Sequence, residues 1–456
     1  MRRHAVLGTV ASVVALAVVG QRAQAQGFGV YEHDSCTMAR GGTGVAAPCG
    51  NASAIFFNPA GIVGSANTWD LSFGGTLIAI NFHYLDSLSG TTTNTVKNNI
   101  PVPAVYLTRQ LSPKLAIGIG MYAPYGLVVE WPQDFAGRFL SYRSDLASLY
   151  FQPTVAYKVS PKLRIGAGLT YAHTSVNLRQ HLELSSQEAL PGVTFANLGV
   201  APGTDFANAV LDGSGSSIGG HFGVIFEPTP RISIGARYLT QMTANITGTA
   251  TFTPIPTGIT LAAGNPFGAP AGTPIEQIPF GAGNTLANQS AKTSIPLPDQ
   301  LIVGVAVKAT SALTVLGDYQ WVHWSVFANL PLTFANLGTQ TLSEEFQNTN
   351  GWRLGAEYRM QSLALRGGFL HHDNAAPDQT VTPLLPEGKR NEYTAGLGIS
   401  LTPKMRIDLA YQYIDQQARR GRVVQPPTPG PSGTAYNTGL YSGNANLFGA
   451  SIVLGF

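Results

Sequence analysis

The sequence predicts an all-β fold, a 14-stranded antiparallel transmembrane β-barrel plugged by a small N-terminal segment. Three observations carry this. Charged residues are 11% of the 456 residues, against roughly 25% in soluble globular proteins, while hydrophobic residues are an ordinary 44%. A water-facing surface of that size needs more charge, so much of it faces something else. No apolar run beyond the N-terminus approaches the ~20 residues of a transmembrane helix. The remaining way to cross lipid is a closed barrel, in which every backbone N–H and C=O pairs between strands. The third observation is a repeated unit, a short turn followed by a strand that alternates apolar with small or polar residues.

The clearest copy is Ser160-Pro161-Lys162, then Leu163, Ile165, Ala167, Leu169 and Tyr171 on one face, with Arg164, Gly166, Gly168 and Thr170 on the other. Ser112-Pro113-Lys114 and Thr402-Pro403-Lys404 open further copies, and looser ones lie at Pro228-Thr229-Pro230, Thr310-Ser311 and Gln361-Ser362. Six such turns at one rim, with both barrel ends starting there, make fourteen strands. They are expected near 68–84, 102–111, 113–126, 146–159, 162–178, 214–227, 231–246, 295–308, 312–326, 350–360, 363–372, 390–401, 404–416 and 441–456. The connections at the other rim are long and rich in Gly, Pro, Asn, Thr and Ser, especially 179–213, 247–294 and 417–440, which is the asymmetry of an outer-membrane barrel. Tyr171, Tyr238, Trp321, Phe369, Tyr411 and Tyr413 fit an aromatic girdle. In the last strand Phe448, Ala450, Ile452, Leu454 and Phe456 face lipid, and the terminal Phe456 resembles the signal read by the barrel-assembly machinery. The heptapeptide 193–199 reappears in similar form at 332–338, by chance or by a shared loop conformation.

The N-terminus reads as a secretory signal, residues 1–25: Arg2 and Arg3, an apolar run, then Ala23-Gln24-Ala25 as a cleavage site. The only cysteines, Cys36 and Cys49, lie just after it; in an exported protein a disulfide is favoured over free thiols, and their spacing fits no zinc pattern. Residues 26–67 show no period-2 run. A barrel of this size is too wide for its own wall side chains to fill, so this segment is expected to be a plug rather than a periplasmic tail, with 68–456 forming the barrel.

Specific stretches then carry a resemblance: Asn58-Pro59-Ala60 in the plug, Tyr122-Ala123-Pro124-Tyr125-Gly126-Leu127 ending the third strand, Leu297-Pro298, Trp324-Ser325, Arg366-Gly367-Gly368 and Pro386-Glu387-Gly388-Lys389-Arg390. From plug to last strand the chain resembles the FadL family, outer-membrane transporters of long-chain fatty acids and other hydrophobic compounds. Pro124 removes a ladder donor and Gly126 weakens the strand, so a kink in the wall is expected at Ala123, Pro124, Tyr125 and Gly126. The resemblance implies an N-terminal hatch with Asn58, Pro59 and Ala60 beside that kink and a ligand that leaves sideways through it. Asn58 is expected to gate the opening through hydrogen bonds to the kink backbone. The resemblance also implies basic groups that meet a ligand carboxylate in the upper barrel, which fall at or beside Arg390 and Arg179. A third such position aligns near 348–350, where there is no Lys or Arg, so neutral hydrophobic ligands stay open beside fatty acids. The two cysteines are not a feature expected of the family.

The residues by themselves leave Arg390 and Arg179 equally readable as rim arginines, solvated or touching lipopolysaccharide phosphates. His371-His372-Asp373 are not expected to hold a metal, because neighbours on a strand point to opposite faces. Neither G-x-S-x-G nor H-E-x-x-H occurs, and Ser, His and Asp form no recognisable constellation, so neither an enzyme nor a cofactor is expected. The net charge of +3 argues against nucleic acid. The expectation is a monomeric, passive outer-membrane channel for hydrophobic small molecules, in contact with outer-membrane lipid and lipopolysaccharide. The alternative is an outer-membrane enzyme or an adhesin that uses its loops.

Overall fold

A computed structural model describes residues 27–87, 89–96, 99–280, 284–421 and 439–456. The signal expected at 1–25 lies outside the described residues. Fourteen antiparallel wall strands follow one another: β1 Trp69–Leu85, β2 Asn99–Ser112, β3 Leu115–Glu130, β4 Arg143–Ser160, β5 Leu163–Leu182, β6 Ala207–Thr229, β7 Ile232–Leu239 continued as Met242–Pro254, and β8 Gln289–Leu297 continued as Gln300–Lys308. They go on as β9 Leu313–Val322, β10 Thr349–Met360, β11 Leu363–His372, β12 Arg390–Thr402, β13 Met405–Arg420 and β14 Leu440–Gly455. Each pairs with its neighbours, and β14 returns to β1 from Asp70↔Gly455 to Leu85↔Leu440, so the sheet closes. The terminal residue completes the seam, since Trp69 N donates to Phe456 O and Phe456 N to Trp69 O.

The alternation dictates which side meets lipid. On β5, Ile165, Leu169 and Tyr171 are exposed while Thr170, Ala172 and Thr174 are buried; on β14, Phe448 is exposed between buried Leu447 and Gly449. In water this belt of apolar side chains would be costly, and in a bilayer it is the contact surface. Strands extend further at the long-loop rim than the sequence predicts: β6 starts at Ala207 rather than 214, and β3 runs to Glu130 rather than 126. There the ladder continues past the lipid belt into the loops, beyond the reach of the hydrophobic pattern. The ninth strand is shorter, ending at Val322, because Trp324–Val326 turn as a 3-10 helix.

The repeated heptapeptides meet in space. Phe195 and Leu198 from one copy and Phe334 and Leu337 from the other pack on one apolar cluster of the outer loops with Phe206 and Ile275. The first copy is a 3-10 turn, Ala196–Leu198, and the second is the tip of a hairpin, Asn329–Phe334 with Gly338–Ser343. Both end on a glycine with positive φ, Gly199 at 96° and Gly338 at 68°.

Residues 27–63 lie against the inward side of the wall. Helix α1, Ser35–Ala39, is N-capped by Asp34, whose carboxylate accepts from Thr37 N, and a Cys36–Cys49 disulfide ties it to the loop behind. Helix α2, Ala54–Phe57, runs into a 3-10 turn, Pro59–Ile62, capped by Asn58 with Pro59 in the first turn. The wall accommodates this segment through small residues. A Cβ on Gly223 would fall 2.1 Å from Asn58 Oδ1, and one on Gly355 would fall 2.1 Å from Arg40 O. Buried polar groups fix the rest: Asp318 accepts from Gly44 N and Val45 N, and Arg237 donates to Phe56 O while its guanidinium lies over the Phe56 ring. The inward Gly, Ala, Ser and Thr of the strands are therefore the seat of this segment.

Candidate functional site: a break in the wall and the cavity behind it

After a register shift beside the turn, the β2–β3 ladder is continuous from Gln110↔Ala116 to Val105↔Met121. Beyond the break, Val96, which precedes β2, donates its N–H to Glu130 O at 2.8 Å. Between these points no pair joins 99–104 to 122–127 among the described residues. Sequence chemistry explains the break from both edges. Along β2, Gln110 N donates to Thr68 O, so even-numbered N–H groups face β1 and odd-numbered ones face β3. The odd positions in the break include Pro101 and Pro103, which have no N–H to give. On the other edge, Pro124 lacks its N–H, and the β3–β4 register shifts between Tyr122 and Tyr125.

The edge of β3 is not left bare. Val30 N donates to Pro124 O at 2.9 Å and Gly126 N donates to Phe28 O at 3.0 Å, around a Gly29–Tyr125 bridge. Residues 28–30 stand where β2 would otherwise pair. Phe28 anchors them edge-on against Trp324, 4.7 Å away, and Phe327. His33 holds their far end: burial takes its imidazole down to about 3, so the ring is neutral and its Nε2–H donates to Val30 O at 3.1 Å.

Behind the break lies a cavity of about 430 Å³. Its walls include Phe28, Ile78, Ile100, Val102, Leu127 and Leu447, so residues from both edges of the break line it. One part of the lining is polar, with Arg390, Glu32, Glu387 and Glu392. Arg390 opens β12, and its Nε and Nη2 are buried with no hydrogen-bond partner among the described residues. Those two nitrogens form the edge of a guanidinium that grips a carboxylate bidentately. Glu387 is occupied: Oε2 accepts from Gly27 N and Oε1 from Ala376 N, and burial pushes its carboxyl up. Glu32 accepts from Gln412 Nε2 at 3.0 Å; burial, then the negative Glu392, raise its carboxyl as well.

The residues singled out in the sequence separate here. Ala123, Pro124, Tyr125 and Gly126 form one edge of the break, and Arg390 faces the cavity. Arg179 does not line it; its Nε donates to Asn177 Oδ1 at the outer end of β5. Asn58 is not bonded to the kink. Its Nδ2 donates to Val45 O within its own segment and to Val224 O and Ala236 O on the β6–β7 seam, and Pro59 and Ala60 lie against Gly166 of β5. The expectation that Asn58 bonds the kink backbone is corrected to Phe28 and Val30, a stretch with no motif to flag it. His371 and His372 point to opposite sides, to Asn391 and Asp373 and to Glu392. Sequence reasoning also passed over Pro101 and Pro103, although two prolines at alternate positions of a strand signal an edge that cannot pair.

Comparison with known proteins agrees with this architecture. A family profile described as outer membrane protein transport protein (OMPP1/FadL/TodX) matches residues 16–456. The chain is 26% identical over 437 residues to a 47 kDa outer membrane protein of Pasteurella multocida, covering 95% of this chain and 96% of that one. Among solved structures, a Pseudomonas aeruginosa FadL homologue superposes with a TM-score of 0.78 at 18% identity, over 94% of this chain and all of that one. The P. putida toluene transporter TodX superposes with a TM-score of 0.69 at 18% identity, over 94% and 99%. A closed 14-strand barrel and a profile match that runs to the last residue place the chain in the OMPP1/FadL/TodX family of outer-membrane transport proteins.

Proposed function

We propose that this protein is a passive channel through which hydrophobic small molecules enter the outer membrane's interior sideways, through the break between β2 and β3. The observation that carries the reading is the run without pairs at 99–104 and 122–127, backed by an apolar cavity that both edges line. Irregular backbone at membrane depth is tolerated only where protein or a cavity covers it, and residues 28–30 supply that cover on one edge. A lateral route suits an apolar cargo, because passing from cavity to bilayer avoids exposing it to water at about 0.8 kcal/mol per CH₂. Residues 26–67 act as the hatch, following a cleaved leader at 1–25, and the barrel works as a monomer without catalysis. The unpartnered Nε–Nη2 edge of Arg390 suits an acid head group, while the other lining takes a neutral hydrocarbon equally well. Arg179 meets lipopolysaccharide or solvent at the rim.

The test is uptake of a labelled long-chain fatty acid and of a labelled aromatic hydrocarbon by a deletion strain carrying this chain or an empty vector. The reading expects at least one cargo to enter faster with the chain. A heat-modifiable, surface-protected barrel that raises uptake of neither would remove it in favour of an enzyme or adhesin.

A further inference from the structure

A second cavity, of about 670 Å³, lies at the short-turn rim between the N-terminal segment and the strand ends, and the channel reading does not use it. Its cations are Arg40, Arg164, Arg231, Lys308 and Arg359, and its carboxylates are Asp70, Glu227 and Glu357. All three carboxylates are taken. Glu227 pairs with Arg164 at 2.9 Å, Glu357 with Arg359 and with Arg366, both at 2.7 Å, and Asp70 accepts from Asn67 Nδ2 at 2.7 Å. Arg231 and Lys308 are left, and neither side chain has an ion pair or hydrogen bond among the described residues.

The wall sets these two cations against each other. β7 and β8 pair from Leu239↔Gln300 to Ile232↔Val307, and one step further Lys308 N donates to Arg231 O at 2.8 Å, so Arg231 stands directly opposite Lys308. Both take inward positions, Arg231 in line with Ser233 and Arg237, and Lys308 in line with Ile302 and Ala306. Like charges directly opposite on one face destabilise a strand pair. An anion between them removes that cost. Two further donors line the cavity. Thr314, opposite Lys308 on β9, adds a hydroxyl. Arg40 is 2% exposed; its Nη2 donates to Thr43 O and Ala47 O, while its Nε is buried with no partner among the described residues.

The donors select the anion. A guanidinium edge grips two oxygens and an ammonium acts as a point charge, so an oxyanion with two negative charges answers both, where chloride would balance one charge and fill no fork. We propose that this cavity binds a small dianionic oxyanion, hydrogen phosphate or a phosphomonoester, between Arg231 and Lys308. The site is independent of the channel reading. The test is isothermal titration of the purified protein with inorganic phosphate and with glycerol phosphate, at fixed ionic strength and about pH 8, where both probes carry two charges. Saturable binding of at least one probe is expected, and the tighter of the two tells free phosphate from a phosphomonoester. Affinity should fall about 10- to 100-fold in R231Q, the range for hydrogen bonds to a charged group. It should be lost in R231Q/K308Q and retained in R231K/K308R, which exchanges the guanidinium and the ammonium. Heat-modifiable migration checks that each variant is folded. Absence of saturable binding of both probes, or equal affinity in the wild type and R231Q/K308Q, would overturn the proposal.

Discussion

Two seams of one wall differ in what their prolines do. β5 and β6 pair without interruption from Leu163↔Phe226 to Leu182↔Ala207, and neither strand has a proline within that run. β2 and β3 carry Pro101, Pro103 and Pro124, and pairing is lost from 99–104 and 122–127. A third seam sets the scale. β4 has a single Pro153, and its ladder with β5 stops at Phe151↔Tyr171 and resumes at Thr154↔Gly168 in unchanged register. One proline costs a local bond and heals; prolines on both edges, with a register shift beside them, leave an opening. The opening persists because Phe28–Val30 and a cavity stand behind it, whereas lipid alone would leave each backbone group unpaired at several kcal/mol.

Breaking the intact seam is the severest way to test this contrast. Phe222 of β6 is paired with Ala167 on one side and Tyr238 on the other. Phe222→Pro should prevent assembly, seen as loss of the heat-modifiable band, although the native chain carries three prolines at the β2–β3 seam. Normal assembly would show that the wall tolerates proline anywhere, and the contrast would lose its meaning.

The cavity's polar end offers a smaller effect. Arg390→Ala should weaken fatty-acid binding by about 10- to 100-fold, the range for hydrogen bonds to a charged group, and leave a neutral hydrocarbon unchanged. Isothermal titration with both ligands checks this, and equal losses for the two would make Arg390 a structural residue.

The smallest effect concerns the covered edge. Burial and Glu392 raise the Glu32 carboxyl above the ordinary glutamate value of 4.5. The folded state thus keeps a proton that the unfolded chain releases. Stability from this group is complete below about pH 4.5 and is lost as pH rises through the folded value. Protection of the Tyr31 amide, which donates to Glu32 Oε2, should therefore fall with rising pH, and Glu32→Gln should flatten that dependence. Hydrogen exchange across this range gives the slope, and an unchanged slope in the variant would assign it elsewhere.

The barrel was legible because its signal is redundant. Ser160-Pro161-Lys162 and its five counterparts mark turns, and Leu163 to Tyr171 alternates strictly, so all fourteen strands could be placed from periodicity and turn chemistry. What periodicity could not reach was pairing across the inner surface. Nothing in Phe28-Gly29-Val30 announces a strand that docks on β3, and Asn58 carries a capping signal for Pro59–Ile62 but no mark of its β6–β7 partners. Arg179 and Arg390 look alike in sequence; only the folded wall separates a rim arginine from one facing a cavity.

The central claim is that cargo leaves through the break, and restoring the ladder tests it most directly. Pro101→Thr with Pro103→Val returns two N–H donors to the β2 edge, and Pro124→Thr with Gly126→Val favours extended pairing on β3. Uptake should be measured in cells bearing this fourfold variant, alongside ligand binding and heat-modifiable migration of the purified protein. The account predicts that uptake falls to the empty-vector level while binding and the folded barrel are retained. Normal uptake by a variant whose β2 and β3 amides have become protected from exchange would contradict it and place the path along the barrel axis.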